Sequence, residues 1–161
     1  MSKPIFIVNG PNLNFLGKRE PDIYGPETLS DIRDAVETVG QQLGVGIEFR
    51  QSNHEGELID WLQEAYDAAA ALIINAGGYS HTSVSLRDAV AVLRIPVIEV
   101  HLSNIYAREE FRRKSYLTDV VHGTIAGFGA RGYTLAVEAA VSLMKTASAR
   151  GEVQPIRLVT T

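Results

Sequence analysis

The sequence lacks several features that would point to particular classes of protein. It contains no cysteine, which excludes disulfide bonds, zinc–thiolate sites and a cysteine nucleophile. It has no apolar run near the ~18 residues of a membrane span, and no signal-peptide pattern follows its first residues. Its formal net charge of -4 disfavours a nucleic-acid partner. We therefore predict a cytoplasmic protein that binds neither nucleic acid nor a membrane.

The motifs of common cofactor sites are absent or misplaced, since Gly127 to Gly132 fits G-x-G-x-x-G but follows the last predicted strand, with no further βαβ unit after it. No G-x-x-x-x-G-K-[ST] loop supports a nucleoside triphosphatase, and no G-x-G-x-x-G follows the first predicted strand. The four histidines, His54, His81, His101 and His122, have no spacing typical of a metal site. We therefore expect neither a metal nor a cofactor.

Apolar strand-like runs alternate with amphipathic helix-like runs along the chain. Strands are predicted at residues 4–8, 45–51, 70–76, 96–100 and 120–126, and helices at 28–43, 57–69, 82–94 and from 132 to about 145. Thr28 and Asp31 resemble a capping box, and Gly44 is expected to end that helix. This alternation predicts a flavodoxin-like α/β fold, a doubly wound five-stranded parallel sheet in the order 2-1-3-4-5 with helices on both faces. We assign residues 1–146 to a single flavodoxin-like domain and 147–161 to a C-terminal tail.

Polar side chains follow three of the predicted strands. They are Asn12 after the first, Asn75 and His81 after the third, and Glu99, His101 and Ser103 at the end of the fourth. In doubly wound sheets ligands bind outside the carboxyl ends of the strands, so these side chains mark the predicted site. Because Glu99, His101 and Ser103 are two residues apart, they share one face if the extended geometry continues.

The connection after the first strand, from Gly10 to Gly25, is long for an ordinary strand-to-helix loop. It carries Arg19 and Tyr24 among glycines and prolines that can act as hinges, which is typical of a lid. The alternative for Tyr24 is an aromatic plug that packs the loop onto the body of the protein.

A local basic cluster interrupts this acidic sequence between Tyr106 and Tyr116. Arg108, Arg112, Arg113 and Lys114 outnumber the two carboxylates there, Glu109 and Glu110. Such a cluster suggests a small anionic ligand. The alternative is a solvated helix face, on which Glu109 and Arg113 form an i,i+4 pair.

Five segments of the chain resemble the type II 3-dehydroquinate dehydratases, also called type II dehydroquinases. The segments read NGPNLNFLGKREPDIYG, QSNHEGELIDW, IINAGGYSHTSVSLRDA, IEVHLSNIYAREEFRRKSYL and GFGARGYTLA, in that order. The resemblance implies the dehydration of 3-dehydroquinate to 3-dehydroshikimate through an enolate, without a cofactor. That reaction serves aromatic amino-acid biosynthesis in the shikimate pathway, or quinate breakdown.

The resemblance also assigns catalytic roles. It implies that Tyr24 takes the proton as a phenolate, with Arg19 stabilising the anion. A free tyrosine has a pKa near 10, so lowering it to 7 requires about 4 kcal/mol of stabilisation of the phenolate. His101 is implied as the acid that protonates the departing hydroxyl, and Glu99 as the group that orients it. Asn12 is implied to hold a water or the enolate oxygen.

Further residues are implied to bind the substrate. Asn75, His81 and Arg112 are expected to bind its hydroxyls, the backbone N–H groups of Leu102 and Ser103 its carboxylate, and Arg108 and Arg113 are supporting cations. The resemblance also implies trimers that associate into a dodecamer, with Asp88 reaching a neighbour's site. The helix pattern agrees, because Val84, Asp88 and Ala91 lie opposite the predicted inward stripe.

Two other functions are weighed against this one. A non-catalytic module for a small anion would retain Asn75, Ser103 and Arg112, but a catalytically dead relative would lose Tyr24 or His101, and both are present. A hydrolase could use Ser80 or Ser83 with His81, but no acidic third member or G-x-S-x-G motif supports it.

Overall fold

Five parallel strands form one sheet in the order β2-β1-β3-β4-β5, which confirms the predicted flavodoxin-like topology. The computed structural model describes residues 2–150, the last three by their backbone alone. The strands are β1 (Ile5–Asn9), β2 (Ile47–Gln51), β3 (Ala71–Asn75), β4 (Val97–His101) and β5 (Gly123–Ala126). The three inner strands are buried along their whole length, whereas β2 and β5 form the more exposed edges. Inner strands covered on both faces require the continuous apolar runs found in this sequence.

Five α-helices accompany the sheet in the described part of the chain. They are α1 (Pro21–Tyr24), α2 (Leu29–Leu43), α3 (Glu55–Ala68), α4 (Val84–Ala91) and α5 (Arg131–Arg150). The predicted capping box begins α2: Asp31 N–H donates to Thr28 Oγ1 at 3.1 Å, and Thr28 N–H donates to Asp31 Oδ2 at 2.9 Å. Gly44 follows the helix with a left-handed φ of 74°, as expected for a glycine at this position.

Two apolar cores cover the two faces of the sheet. Alternate residues of β1 face opposite sides, so Ile5 and Ile7 join one core while Phe6 and Val8 join the other. Helices α2 and α5 pack over the first core, and α3 and α4 over the second. The carboxyl ends of the strands are left uncovered by this arrangement and are available for a site.

Three elements differ from their predicted ranges by three residues or more at one end. Helix α4 is shorter than 82–94 because Ser83 caps it, accepting a 2.9 Å hydrogen bond from Leu86 N–H. Strand β5 begins only at Gly123, since the preceding segment forms a 3-10 turn, Thr118–Val120, in which Asp119 pairs with Arg87 of α4. Helix α5 continues past residue 145 to Arg150.

The predicted tail lies partly beyond this description. Its first residues, 147–150, continue helix α5, and residues 151–161 lie outside the described residues. None of the helices within residues 2–150 is long and apolar enough to cross a membrane.

A close approach of two loops shapes the edge where the site lies. Gly10 N–H donates to the carbonyl oxygen of Asn75 at 2.8 Å, which joins the ends of β1 and β3. A Cβ at Gly10 would lie 2.3 Å from the carbonyl oxygen of Ala76, so only glycine fits there. The polar segments after these two strands are thereby held next to each other.

Candidate active site

A cavity of about 150 Å³ lies at the carboxyl edge of the sheet, bounded by the loops after β1, β3 and β4. Ten of the predicted site residues line it: Asn12, Arg19, Tyr24, Asn75, His81, His101, Leu102, Ser103, Arg108 and Arg112. These residues come from segments almost 100 positions apart, and the parallel sheet brings them together because all its strands end at this edge.

Tyr24 lies between the cavity and the core, with two arginines beside its ring. The guanidinium carbons of Arg19 and Arg108 are 5.3 and 5.1 Å from the ring centroid, within the range of a cation–π contact. The ring also packs against the core cluster on the α2 side of the sheet, so the plug alternative describes part of its surroundings. Tyr24 is placed by the short helix α1, which begins with proline at its first position.

Glu99 and His101 form a buried pair at the end of β4. His101 Nε2 lies 2.8 Å from Glu99 Oε2, and the Glu99 side chain is fully buried. Burial alone would raise the pKa of Glu99, but the hydrogen bond and charge of His101, together with hydrogen bonds from Ser115 and Thr118, outweigh it, so the pKa lies below its ordinary value. The pair therefore holds a carboxylate that fixes the orientation of the imidazole.

Three hydroxyl groups complete the environment of Glu99. Thr118 Oγ1 and Thr124 Oγ1 donate to Glu99 Oε1 at 2.6 and 3.1 Å, and Ser115 Oγ donates to Oε2. The sequence analysis missed all three. Thr124 had a signal, because the predicted strand order puts β5 beside β4, where Glu99 and Thr124 are partners in register.

His81 stacks against His101, with 6.3 Å between the ring centroids. Its Nδ1 lies 2.8 Å from the carbonyl oxygen of Lys114, which can only accept, so Nδ1 carries the proton. Burial lowers the pKa of His81, and this outweighs the opposing effect of the Lys114 carbonyl; the charges of His101 and Arg112 lower it further. His81 is therefore neutral at pH 7, with Nε2 as an acceptor.

Asn12 begins the loop after β1 in a left-handed conformation, with φ of 67°, which asparagine tolerates better than most residues. Its N–H donates to Asn53 Oδ1 at 3.0 Å, and Gln51 Nε2 donates to the same oxygen at 3.1 Å. Asn53 was missed by the sequence analysis. It follows β2, so the strand-end rule that identified Asn12 applied to it as well.

The basic cluster between Tyr106 and Tyr116 is not the helix considered as an alternative. It forms two 3-10 turns, Ile105–Ala107 and Glu110–Arg112, and Glu109 pairs with Arg112 three residues on. Arg113 is exposed and does not line the cavity. It therefore does not lie where its expected role as a supporting cation would require. Arg108 has that position, and it also donates to Ser103 Oγ at 3.3 Å.

Asp88 is exposed on α4 and does not line the cavity of its own chain. Val84 on the same helix is also exposed, by 54%, as the predicted outward face requires.

The hydrolase alternative loses support, because Ser83 Oγ caps α4 and Ser80 is fully buried outside the cavity lining.

A doubly wound α/β sheet with a tyrosine, two histidines and three arginines around one strand-end cavity defines an acid–base enzyme for a small anion. The model of the family described as Dehydroquinase class II matches residues 3–141 of this chain. The chain belongs to that family.

Named relatives are similar to this chain over about nine tenths of its length. A 3-dehydroquinate dehydratase of Phenylobacterium zucineum is 57% identical over 145 residues, 90% of this chain and 100% of that protein. One from Caulobacter vibrioides is 56% identical over 145 residues, 90% of this chain and 99% of that protein. The crystal structure of type II dehydroquinase from Propionibacterium acnes is 44% identical, with a TM-score of 0.85, covering 88% of this chain and 98% of that one.

Proposed function

We propose that this chain is a hydro-lyase that eliminates water from 3-dehydroquinate to give 3-dehydroshikimate. The observation that carries the proposal is Tyr24, flanked by Arg19 and Arg108, in the same cavity as the Glu99–His101 pair. A base and an acid at one site are what such an elimination requires. Relatives that are more than half identical carry the name of this enzyme, and the cavity volume of about 150 Å³ admits a six-membered ring.

In the first step, the Tyr24 phenolate removes a proton from the carbon next to the substrate ketone. The electron pair of the broken C–H bond moves into the ring as an enolate, and the proton stays on Tyr24. Arg19 and Arg108 lie beside the Tyr24 ring, so two positive charges are close to the phenolate that this step requires. Asn12, which lines the cavity, holds the enolate oxygen directly or through a water molecule.

In the second step, the enolate reforms the ketone and expels the neighbouring hydroxyl. The C–O bond breaks, a protonated His101 gives its proton to the departing oxygen, and water leaves. Glu99 keeps its negative charge throughout, because four donors surround its carboxylate. It therefore holds the ring of His101 in place for the proton transfer.

Substrate binding follows from the polarity of the remaining side chains. The backbone N–H groups of Leu102 and Ser103 bind the carboxylate at the end of β4. His81 offers Nε2 as an acceptor to a substrate hydroxyl, because Nδ1 is engaged by Lys114. Asn75 and Arg112 supply donors from the other side of the same cavity.

Incubation of the chain with 3-dehydroquinate tests the proposal. The product is a conjugated enone, so turnover produces a rise in ultraviolet absorbance that the substrate alone does not show. A purely binding module would take up the ligand with no absorbance change, and that result would replace the proposed function by the binding alternative.

Turnover is expected to be independent of metal ions. Within residues 2–150, no three His, Asp or Glu side chains are grouped to hold an ion, and the proposed steps use protein side chains alone. Exhaustive treatment with a chelator should leave kcat and KM unchanged. A loss of activity that a divalent ion restores would contradict this prediction.

We also propose that the active enzyme is a homododecamer built from trimers, with Asp88 completing a neighbour's site. The support is the exposed face of α4, where Val84 and Val92 are 54% and 59% exposed beside Asp88. Apolar side chains grouped on a helix face mark contact surfaces. The carboxylate can pair with a neighbour's arginine or orient its substrate-binding residues.

Asp88→Ala is expected to raise KM or weaken trimer association while the monomer fold is kept. Sedimentation at working concentration and steady-state kinetics measure the two effects. Asp34→Ala is the matched control, since Asp34 is an exposed aspartate on α2, over the opposite face of the sheet. A fully active monomer would defeat the proposal.

Three expectations from the sequence stay predictions. The first is the division into a catalytic domain (1–146) and a tail (147–161). The second is the cytoplasmic location, and the third is the absence of a nucleic-acid partner.

A further inference from the structure

A buried chain of hydrogen bonds runs beneath the cavity and ends at Asn75. The hydroxyl of Tyr133, on α5, lies 2.9 Å from Nδ2 of Asn75 and 2.7 Å from Oδ1 of Asn9. Asn9 Nδ2 donates to the carbonyl oxygen of Arg50 at 3.0 Å, and Asn75 Oδ1 accepts from Gly77 N–H at 3.2 Å. Tyr133 and Asn9 are fully buried and do not line the cavity, whereas Asn75 does.

The backbone groups at the two ends allow only one direction for every bond in this chain. The Arg50 carbonyl can only accept, so Asn9 turns Nδ2 toward it and Oδ1 toward Tyr133. The Gly77 N–H can only donate, so Asn75 turns Oδ1 toward it and Nδ2 toward Tyr133. The single hydroxyl proton of Tyr133 therefore goes to Asn9, and its oxygen accepts from Asn75.

Tyr133 keeps its proton, because burial raises its pKa far above the ordinary value. An amide is nearly symmetric in shape, and only its hydrogen-bond partners decide which end is oxygen and which is nitrogen. In Asn75 one Nδ2 hydrogen is used by Tyr133, which leaves the second hydrogen as a donor for a ligand.

We propose that Tyr133 is a positioning residue that acts through Asn75, holding its amide so that Nδ2 donates to a hydroxyl oxygen of the substrate. The inference rests on the proposed function, in which Asn75 binds that hydroxyl. His81 Nε2 is an acceptor, whereas Asn75 Nδ2 is a donor. The two side chains therefore bind substrate hydroxyls with opposite hydrogen-bond polarity. Neither side chain can interchange its donor and acceptor atoms without breaking a hydrogen bond to the backbone or to Tyr133.

Tyr133→Phe tests the inference, since it keeps the ring and removes only the hydroxyl. The Asn75 amide then loses a partner and can turn. KM should rise about 5- to 10-fold with kcat within about twofold, as for a hydrogen bond made equally in the ground and transition states. Tyr66→Phe, at an exposed tyrosine of α3, is the matched control and should change neither constant.

A double-mutant cycle with Asn75→Ala separates positioning from general destabilisation. If Tyr133 acts through Asn75, adding Tyr133→Phe to Asn75→Ala should change KM by less than about twofold. If Tyr133→Phe does not fold, as circular dichroism would report, Asn9→Ala replaces it, since it removes the acceptor of the Tyr133 proton. The same non-additivity is expected.

Additive effects on KM, or a fall in kcat with KM unchanged, would overturn this inference alone. The parent chain, assayed in the same series, reports separately on the proposed function. Absence of turnover by the parent would overturn that function and the inference together, so the two failures are distinguished.

Discussion

Tyr24→Phe is expected to lower kcat by a factor of about 100 to 10,000 with little change in substrate affinity, because it removes the general base. Phenylalanine keeps the ring that packs between Arg19, Arg108 and the core, so the loop and the cavity wall remain. Steady-state kinetics give kcat, and calorimetric titration with 3-dehydroquinate gives the affinity. Tyr66→Phe again provides a variant with the same chemical change outside the site.

Arg19→Ala provides a second measurement of the same assignment. It removes one of the two cations beside Tyr24, so the phenolate loses part of its stabilisation and turnover should fall severely. If Tyr24→Phe retained more than a few per cent of the parent kcat, Tyr24 would not be the base.

Glu99→Gln is expected to lower both turnover and stability, because it removes a buried charge that His101 and three hydroxyls surround. Breaking a buried ion pair by changing one partner typically costs about 3 to 5 kcal/mol of unfolding free energy. Turnover should fall at least about tenfold, since His101 then lacks the carboxylate that orients its ring. Denaturant unfolding and steady-state kinetics measure the two losses.

The stability loss should depend on pH in a definite direction. The folded-state pKa of Glu99 lies below the ordinary 4.5, so its contribution is fully present above pH 4.5 and is lost as the pH falls below it. The unfolding free energies of parent and Glu99→Gln should therefore converge in acid. His81, whose lowered pKa costs stability from pH 6.5 downward, is present in both proteins, so the difference between them isolates Glu99.

Glu37→Gln is the control for this series, because Glu37 is an exposed glutamate in the middle of α2, away from the helix ends. Its unfolding free energy should follow that of the parent at every pH. A constant difference between Glu99→Gln and the parent down to strong acid would show that Glu99 does not act as a folded-state carboxylate.

The sequence by itself determined the fold, because its signals are local and repeat within each segment. Apolar runs identified the buried strands, and the Thr28–Asp31 capping box identified the start of α2. The strand-end rule predicts that Asn12, Asn75 and His101 meet at one edge of the sheet, and all three line the cavity there. The assignment of chemical roles to these residues came from family resemblance, since a strand-end position does not specify a reaction.

Local patterns failed where a segment is shaped by its distant contacts. The segment from Tyr106 to Tyr116 has the charge spacing of a helix, yet it forms 3-10 turns along the cavity rim, where Arg112 pairs with Glu109. Residues near 120 have the composition of a strand, but the Arg87–Asp119 pair holds that segment against α4. Strand β5 therefore begins only at Gly123.

Only the tertiary structure decided which side chains meet. It placed Arg108 rather than Arg113 beside Tyr24, and it surrounded Glu99 with hydroxyls from two later segments. It also joined Tyr133 to Asn9 across 124 positions of sequence. A periodic pattern records which face of one element is apolar, whereas a hydrogen bond between elements depends on the register and rotation of both. Those are set when the whole core packs, so no single segment encodes them.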